Sequence, residues 1–137
     1  ISMREILFRA KRADNGEWVE GYFAIGKWYL DEKEMYAILP IDLCFYPHCE
    51  INEWIEIDPE TVCQYTGLTD KNGKRIWEND IVKIGANTLV RWSEKYAGWC
   101  LVQRGWMYEH FFGEAIDERD CEVVGNIFDN PELLKGE

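Results

Sequence analysis

The stretch Gln64-Tyr-Thr-Gly67-Leu-Thr-Asp70-Lys-Asn72-Gly73-Lys-Arg-Ile-Trp77-Glu-Asn-Asp80-Ile-Val-Lys83 holds the densest turn chemistry and the cleanest strand of the chain. Asn72-Gly73 is a dipeptide suited to a tight hairpin turn with positive φ. Gly67 offers a second position of that kind. Ile76, Trp77, Ile81, Val82 and Ile84 form an apolar segment broken by Glu78-Asn79-Asp80. The break predicts a short turn that sets Asp80 at the mouth of a strand over residues 81–84. Small β-barrels often open in this way.

Upstream, alternation predicts strands over residues 5–10 and 17–25, joined into a hairpin by Asp14-Asn15-Gly16. Lys27 to Leu30 is a further apolar run, Asp31-Glu-Lys-Glu34 a charged turn, and residues 35–39 a short strand ended by Pro40. Residues 41–52 are neither helical nor strictly alternating, and Pro47 forbids a central strand there. Residues 54–57 read as a strand. Asp58-Pro59 breaks it, starts a helical turn and marks a lobe boundary. Downstream, short strands are expected at 63–65, 81–84, 88–92, 98–102 and 121–126. Residues 109–115 lack alternation, and Asn130-Pro131 starts at most one helical turn. The expected fold is all-β and mainly antiparallel. An N-terminal β lobe (residues 1–60) is followed by a small SH3-like barrel (residues 61–137), or the two form one continuous domain.

Three segments resemble the YopX family of phage and prophage proteins. They are residues 64–82 of the opening stretch, Met3 to Arg12 with Gly16 to Tyr22, and Glu122-Val-Val-Gly-Asn-Ile-Phe-Asp-Asn-Pro-Glu-Leu-Leu134. They span nearly the whole chain in the family's order. The resemblance implies a mostly β fold and a phage or prophage origin, and it carries no catalytic motif. Residues 27–60 carry none of it.

Composition bounds the rest. In 137 residues, 47% hydrophobic and 15% aromatic content suffice for a core, and seven tryptophans suit sheet faces. A net charge of −11 opposes broad phosphate-backbone binding, which needs clustered Lys and Arg. An odd cysteine count (Cys44, Cys49, Cys63, Cys100, Cys121), no signal peptide and no long apolar run point to a cytoplasmic protein with reduced thiols. Ile1-Ser2 ahead of Met3 reads as a cloning remnant.

Cys44-Phe-Tyr-Pro-His48-Cys49 is the strongest metal candidate, with Cys63 as a third thiol if the fold returns it. The second ligand pair is missing, so no metal or other cofactor is expected. His48 and His110 are the only histidines, and neither has a nucleophile placed to work with it. The acidic runs Glu50, Glu53, Glu56, Asp58, Glu60 and Glu114, Asp117, Glu118, Asp120, Glu122 show no metal-loop pattern and read as solvated faces. No phosphate loop or catalytic elbow is present, and no enzymatic activity is expected.

The remaining signal is aromatic. Lys83, Arg91, Trp92, Tyr96, Trp99 and Trp106 are the candidate binding face, with Lys95, Arg104, Tyr108, Phe111 and Phe112 nearby. Core and homo-oligomer contacts come first for such a cluster. The expected function is that of a non-enzymatic accessory protein, encoded by a phage or prophage, acting by protein binding or self-assembly in the bacterial host cell. Its partners are itself and a phage or host protein, and no membrane is involved. The alternatives are single-stranded nucleic-acid binding by base stacking and acidic mimicry of DNA.

Overall fold

The computed structural model describes residues 4–42 and 54–135. They form eleven strands, no α-helix and three 3-10 turns. The chain divides into two compact units, Ile1–Gln64 and Tyr65–Glu137. The division falls inside a strand, shortly after the Asp58-Pro59 turn.

In the first unit, strands β1 (Phe8–Lys11), β2 (Trp18–Lys27), β3 (Glu34–Pro40) and β4 (Ile55–Glu56) lie in the order β4-β3-β2-β1. Asn15-Gly16 closes the β1–β2 hairpin, with Gly16 at φ 75° and the Arg12 N–H donating to the Glu17 carbonyl at 2.8 Å. The apolar run at residues 27–30 is not a strand of its own; it ends β2 and begins the turn to β3. Ala10, Ile38 and Ile57 are buried at the centre, with Phe8, Val19, Phe23 and Tyr36 packed around them. The expected turn after Asp58 is present as a 3-10 turn over Pro59–Thr61, capped by the Asp58 carboxylate, which accepts from the Glu60 N–H. Thr61 Oγ1 accepts the Lys11 N–H at 2.9 Å, which ties the turn to β1.

Strand β5 (Cys63–Thr69) pairs with β1 through its first residues. In the second unit it pairs with β6 (Arg75–Trp77). Strands β7 (Asp80–Ile84), β8 (Ala86–Ser93), β9 (Gly98–Val102), β10 (His110–Phe111) and β11 (Glu122–Asn126) form a five-stranded antiparallel sheet, ordered β10-β9-β8-β7-β11. The all-β reading holds, but this sheet is not a closed barrel: β10 and β11 are its two edges. The physical reason lies in β10, where the unpatterned stretch around it allows only two residues to pair, too short an edge to close a cylinder. Ile76, Val82, Val90, Leu101, Ile116 and Cys121 form the core of this unit.

Candidate functional site

The opening stretch is a polar knot. Residues 70–74 form the β5–β6 connection, a longer loop than a two-residue turn. Asp70 organises it. Its Oδ1 accepts the N–H groups of Asn72 and Lys74, both at 2.9 Å, and its Oδ2 accepts that of Val123 in β11, also at 2.9 Å. Burial pushes the Asp70 pKa up, but these backbone donations outweigh it and hold the carboxylate below its usual range. Gly73 has φ 79°, as the Asn-Gly dipeptide predicts. Glu78-Asn79 is the expected turn: Asn79 has φ 68°, and Asp80, buried at the start of β7, accepts the Trp77 N–H at 2.8 Å.

A second knot holds the C-terminal segment. The buried Asn126 side chain accepts the N–H groups of Phe128 and Asp129, each at 3.0 Å, while Asn79 O accepts the Ile127 N–H at 3.1 Å. Asn130 does not cap the turn Pro131–Leu134 with its side chain. Its Oδ1 instead accepts the Asn126 N–H at 3.3 Å.

The candidate binding face is divided by register. Residues directly opposite one another across an antiparallel pair share a face. Trp92 lies opposite Trp99, and Val90 opposite Leu101, so both tryptophans stand on the side of the core cluster. Their rings meet edge-on at 5.1 Å. Trp99 and Trp106 pack against that core, and Trp106 stacks on His110 at 4.2 Å. Arg91 lies opposite Cys100, and Lys83 opposite Asn87. Both cations therefore point out of the other face of the sheet, exposed and away from the tryptophans. Tyr96, in the β8–β9 turn, meets Phe111 edge-on at 5.6 Å. Six residues expected to act together thus belong to two surfaces.

Beside β10 lies an open hollow of about 1090 Å³, wider than a closed small-ligand pocket. Of the six expected residues, Tyr96 and Trp106 line it. Met107, Tyr108, Glu109 and Glu114 also line it; Met107 and Tyr108 are 85% and 75% exposed. Of these, Met107 went unread in the sequence, and Glu109 and Glu114 were not assigned to the face. Their one signal was the loss of alternation around Phe111-Phe112, which frees side chains from a sheet face.

Among the described residues, no three His, Cys, Asp or Glu side chains are grouped to hold a metal ion. Cys44, His48 and Cys49 lie outside the described residues. Cys63 is buried, with its Sγ donating to Thr61 O at 3.3 Å. Burial and neighbouring carboxylates push the Cys121 thiol up to about 11, and burial raises Cys100 as well. Thiols so held are poor nucleophiles. No helix is long and apolar enough to cross a membrane among the described residues.

The family model described as YopX protein matches residues 7–135. The chain belongs to the YopX family. Among solved structures, the crystal structure of protein EF1440 from Enterococcus faecalis is similar, with 25% identity and a TM-score of 0.52 over 97% of this chain and 100% of that one. A comparison with curated proteins finds no match. The segments that carry the YopX resemblance, residues 64–82 and 122–134 among them, include both polar knots.

Proposed function

We propose that this YopX-family chain is a non-enzymatic phage or prophage accessory protein, cytoplasmic in the bacterial host, that acts by binding protein, self-association included. The observation that carries this reading is the division of the aromatic face. Base stacking along a single strand needs rings and cations on one surface. Here Trp92 and Trp99 stand on one face of the sheet, and Lys83 and Arg91 on the other. The exposed rings Trp92, Tyr96 and Tyr108 suit protein contacts, where Trp and Tyr are enriched. Net charge of −11 works against nucleic acid in the same direction.

The test combines light scattering with an oligonucleotide titration followed by Trp fluorescence at low salt. An oligomer with no fluorescence change supports the proposal. A monomer that binds single strands, and loses them when Arg91 and Lys95 are changed to Ala, overturns it.

A further inference from the structure

The hollow beside β10 has a chemistry more specific than protein binding in general. We infer that it takes a cationic side chain, arginine before lysine, carried on an extended segment of a partner protein. This rests on the protein-binding reading above and names the occupant of one surface.

The first observation is the set of ring faces. Tyr96 is 60% exposed and Tyr108 75% exposed, and both line the hollow. The face of an aromatic ring attracts a cation. The site already does this internally, with the Lys95 ammonium 5.1 Å from the centre of the Tyr96 ring.

The second observation is charge. Glu109 and Glu114 stand in the lining, both exposed, against Lys95 as the single cation there among the described residues. Neither carboxylate forms an ion pair among the described residues. With a net charge of −11, the protein steers basic partners toward itself and repels acidic ones. A second copy of this acidic chain brings carboxylates to carboxylates and is the poorer occupant.

The third is shape. The hollow is open, so a side chain enters while its backbone stays outside. Met107 is 85% exposed, and its flexible thioether can pack along an aliphatic stem. Arginine is favoured because a planar guanidinium both stacks on rings and pairs with a carboxylate through two N–H groups.

The experiment titrates the full chain with a short fluorescent peptide of Arg interspersed with Gly and Ser. A matched peptide with citrulline, the neutral isostere, serves as control. The Arg peptide should bind and the citrulline peptide should not. The double substitution Glu109→Gln, Glu114→Gln should weaken binding about fivefold or more, and Tyr96→Ser with Tyr108→Ser should do the same at unchanged near-ultraviolet circular dichroism. Equal binding of both peptides, or no effect of the Glu109 and Glu114 substitutions, overturns the cationic occupant. If no peptide binds but the protein is an oligomer that Tyr108→Ser dissociates, the inference falls while the protein-binding reading stands. A monomer that binds neither peptide overturns the inference, and the protein-binding reading falls with it only if that monomer binds single strands.

Discussion

Two regions of the second unit differ in how they are built. In the knot formed by residues 70–80 and 121–130, short polar side chains lock backbone to backbone. Asp70 accepts two N–H groups of its own loop and one of β11, and Asn126 braces the turn that follows. In the aromatic rim formed by residues 94–114, rings touch one another edge-on or stacked and stay half in water. The knot leaves little freedom to substitute, because each buried donor needs its acceptor. The exposed rings of the rim, Tyr96 and Tyr108, should tolerate change, because they support few other groups. Two of the segments that resemble the family, residues 64–82 and 122–134, overlap the first region, and the exposed rings Tyr96 and Tyr108 belong to the second.

The sharpest way to break this comparison is at Asp70. Replacing Asp70 with Ala should destabilise by about 3 kcal/mol or more, since three backbone donors lose a charged acceptor in a buried place. Urea unfolding measures it; a loss no larger than that at an exposed residue would show that the knot is not what holds the loop. The pH dependence follows with a definite sign. In the folded protein the Asp70 carboxyl is held below the ordinary aspartate value of 3.8 by the backbone N–H groups that donate to it. Its contribution is therefore fully present above the unfolded value and is lost as pH falls through the lower folded one. Asp70→Asn should flatten the acid limb of stability against pH. Asp117 is also lowered, to about 2, by its hydrogen bonds with exposed Arg119. Solvent screens that pair, so Asp117→Asn should leave the acid limb nearly unchanged.

Gly73 is the next test. At φ 79° with open space around it, it is constrained by backbone conformation and not by crowding. Gly73→Val should cost about 1 kcal/mol or more, and Gly73→Asn less, because Asn tolerates the left-handed region. Equal costs for both would mean that packing, not φ, selects glycine.

How far these regions could be read in advance follows from the same contrast. The knot was legible because turn chemistry is local: Asn72-Gly73 and Glu78-Asn79-Asp80 announce their backbone angles in adjacent residues. What stayed hidden was Asp70, whose decisive partner Val123 lies far along the chain. The strands were legible where an apolar run was bounded by turn residues, as in residues 98–102, which are β9 to the residue. The rim was not. Its residues were recognised as aromatic, but their grouping needed the register of β8 on β9, which alone sets Trp92 and Arg91 on opposite faces. Closure into a barrel was misjudged because strand spacing limits how many strands form and does not say whether the outermost two meet.

Thiol reactivity sharpens the comparison from inside the knot. Cys121 is fully buried, its thiol is raised to about 11, and its carbonyl accepts the Lys71 N–H at 3.0 Å. In the native protein at mildly alkaline pH, neither Cys100 nor Cys121 should react with a disulfide reagent. In Asp70→Ala, Cys121 should become reactive, and sooner than Cys100, because the loop above it opens. Reaction of Cys121 at the same rate in both proteins would show that the knot opens without Asp70's help.

The smallest effect on stability is expected in the rim, and there the smallness is the point. Tyr96 and Tyr108 are 60% and 75% exposed. Tyr96 touches Phe111 edge-on, a contact worth about 1 kcal/mol at most when half in water. Tyr108→Ser should shift unfolding by about 0.5 kcal/mol or less, and Tyr96→Ser by little more. If these rings served folding, both changes would register in the urea midpoint as clearly as Gly73→Val. If they serve recognition, stability should stay almost level while binding of the Arg peptide weakens. A variant that loses stability and keeps its peptide binding would reverse the assignment, making the rim a satellite of the core and leaving recognition to the Lys83 and Arg91 face.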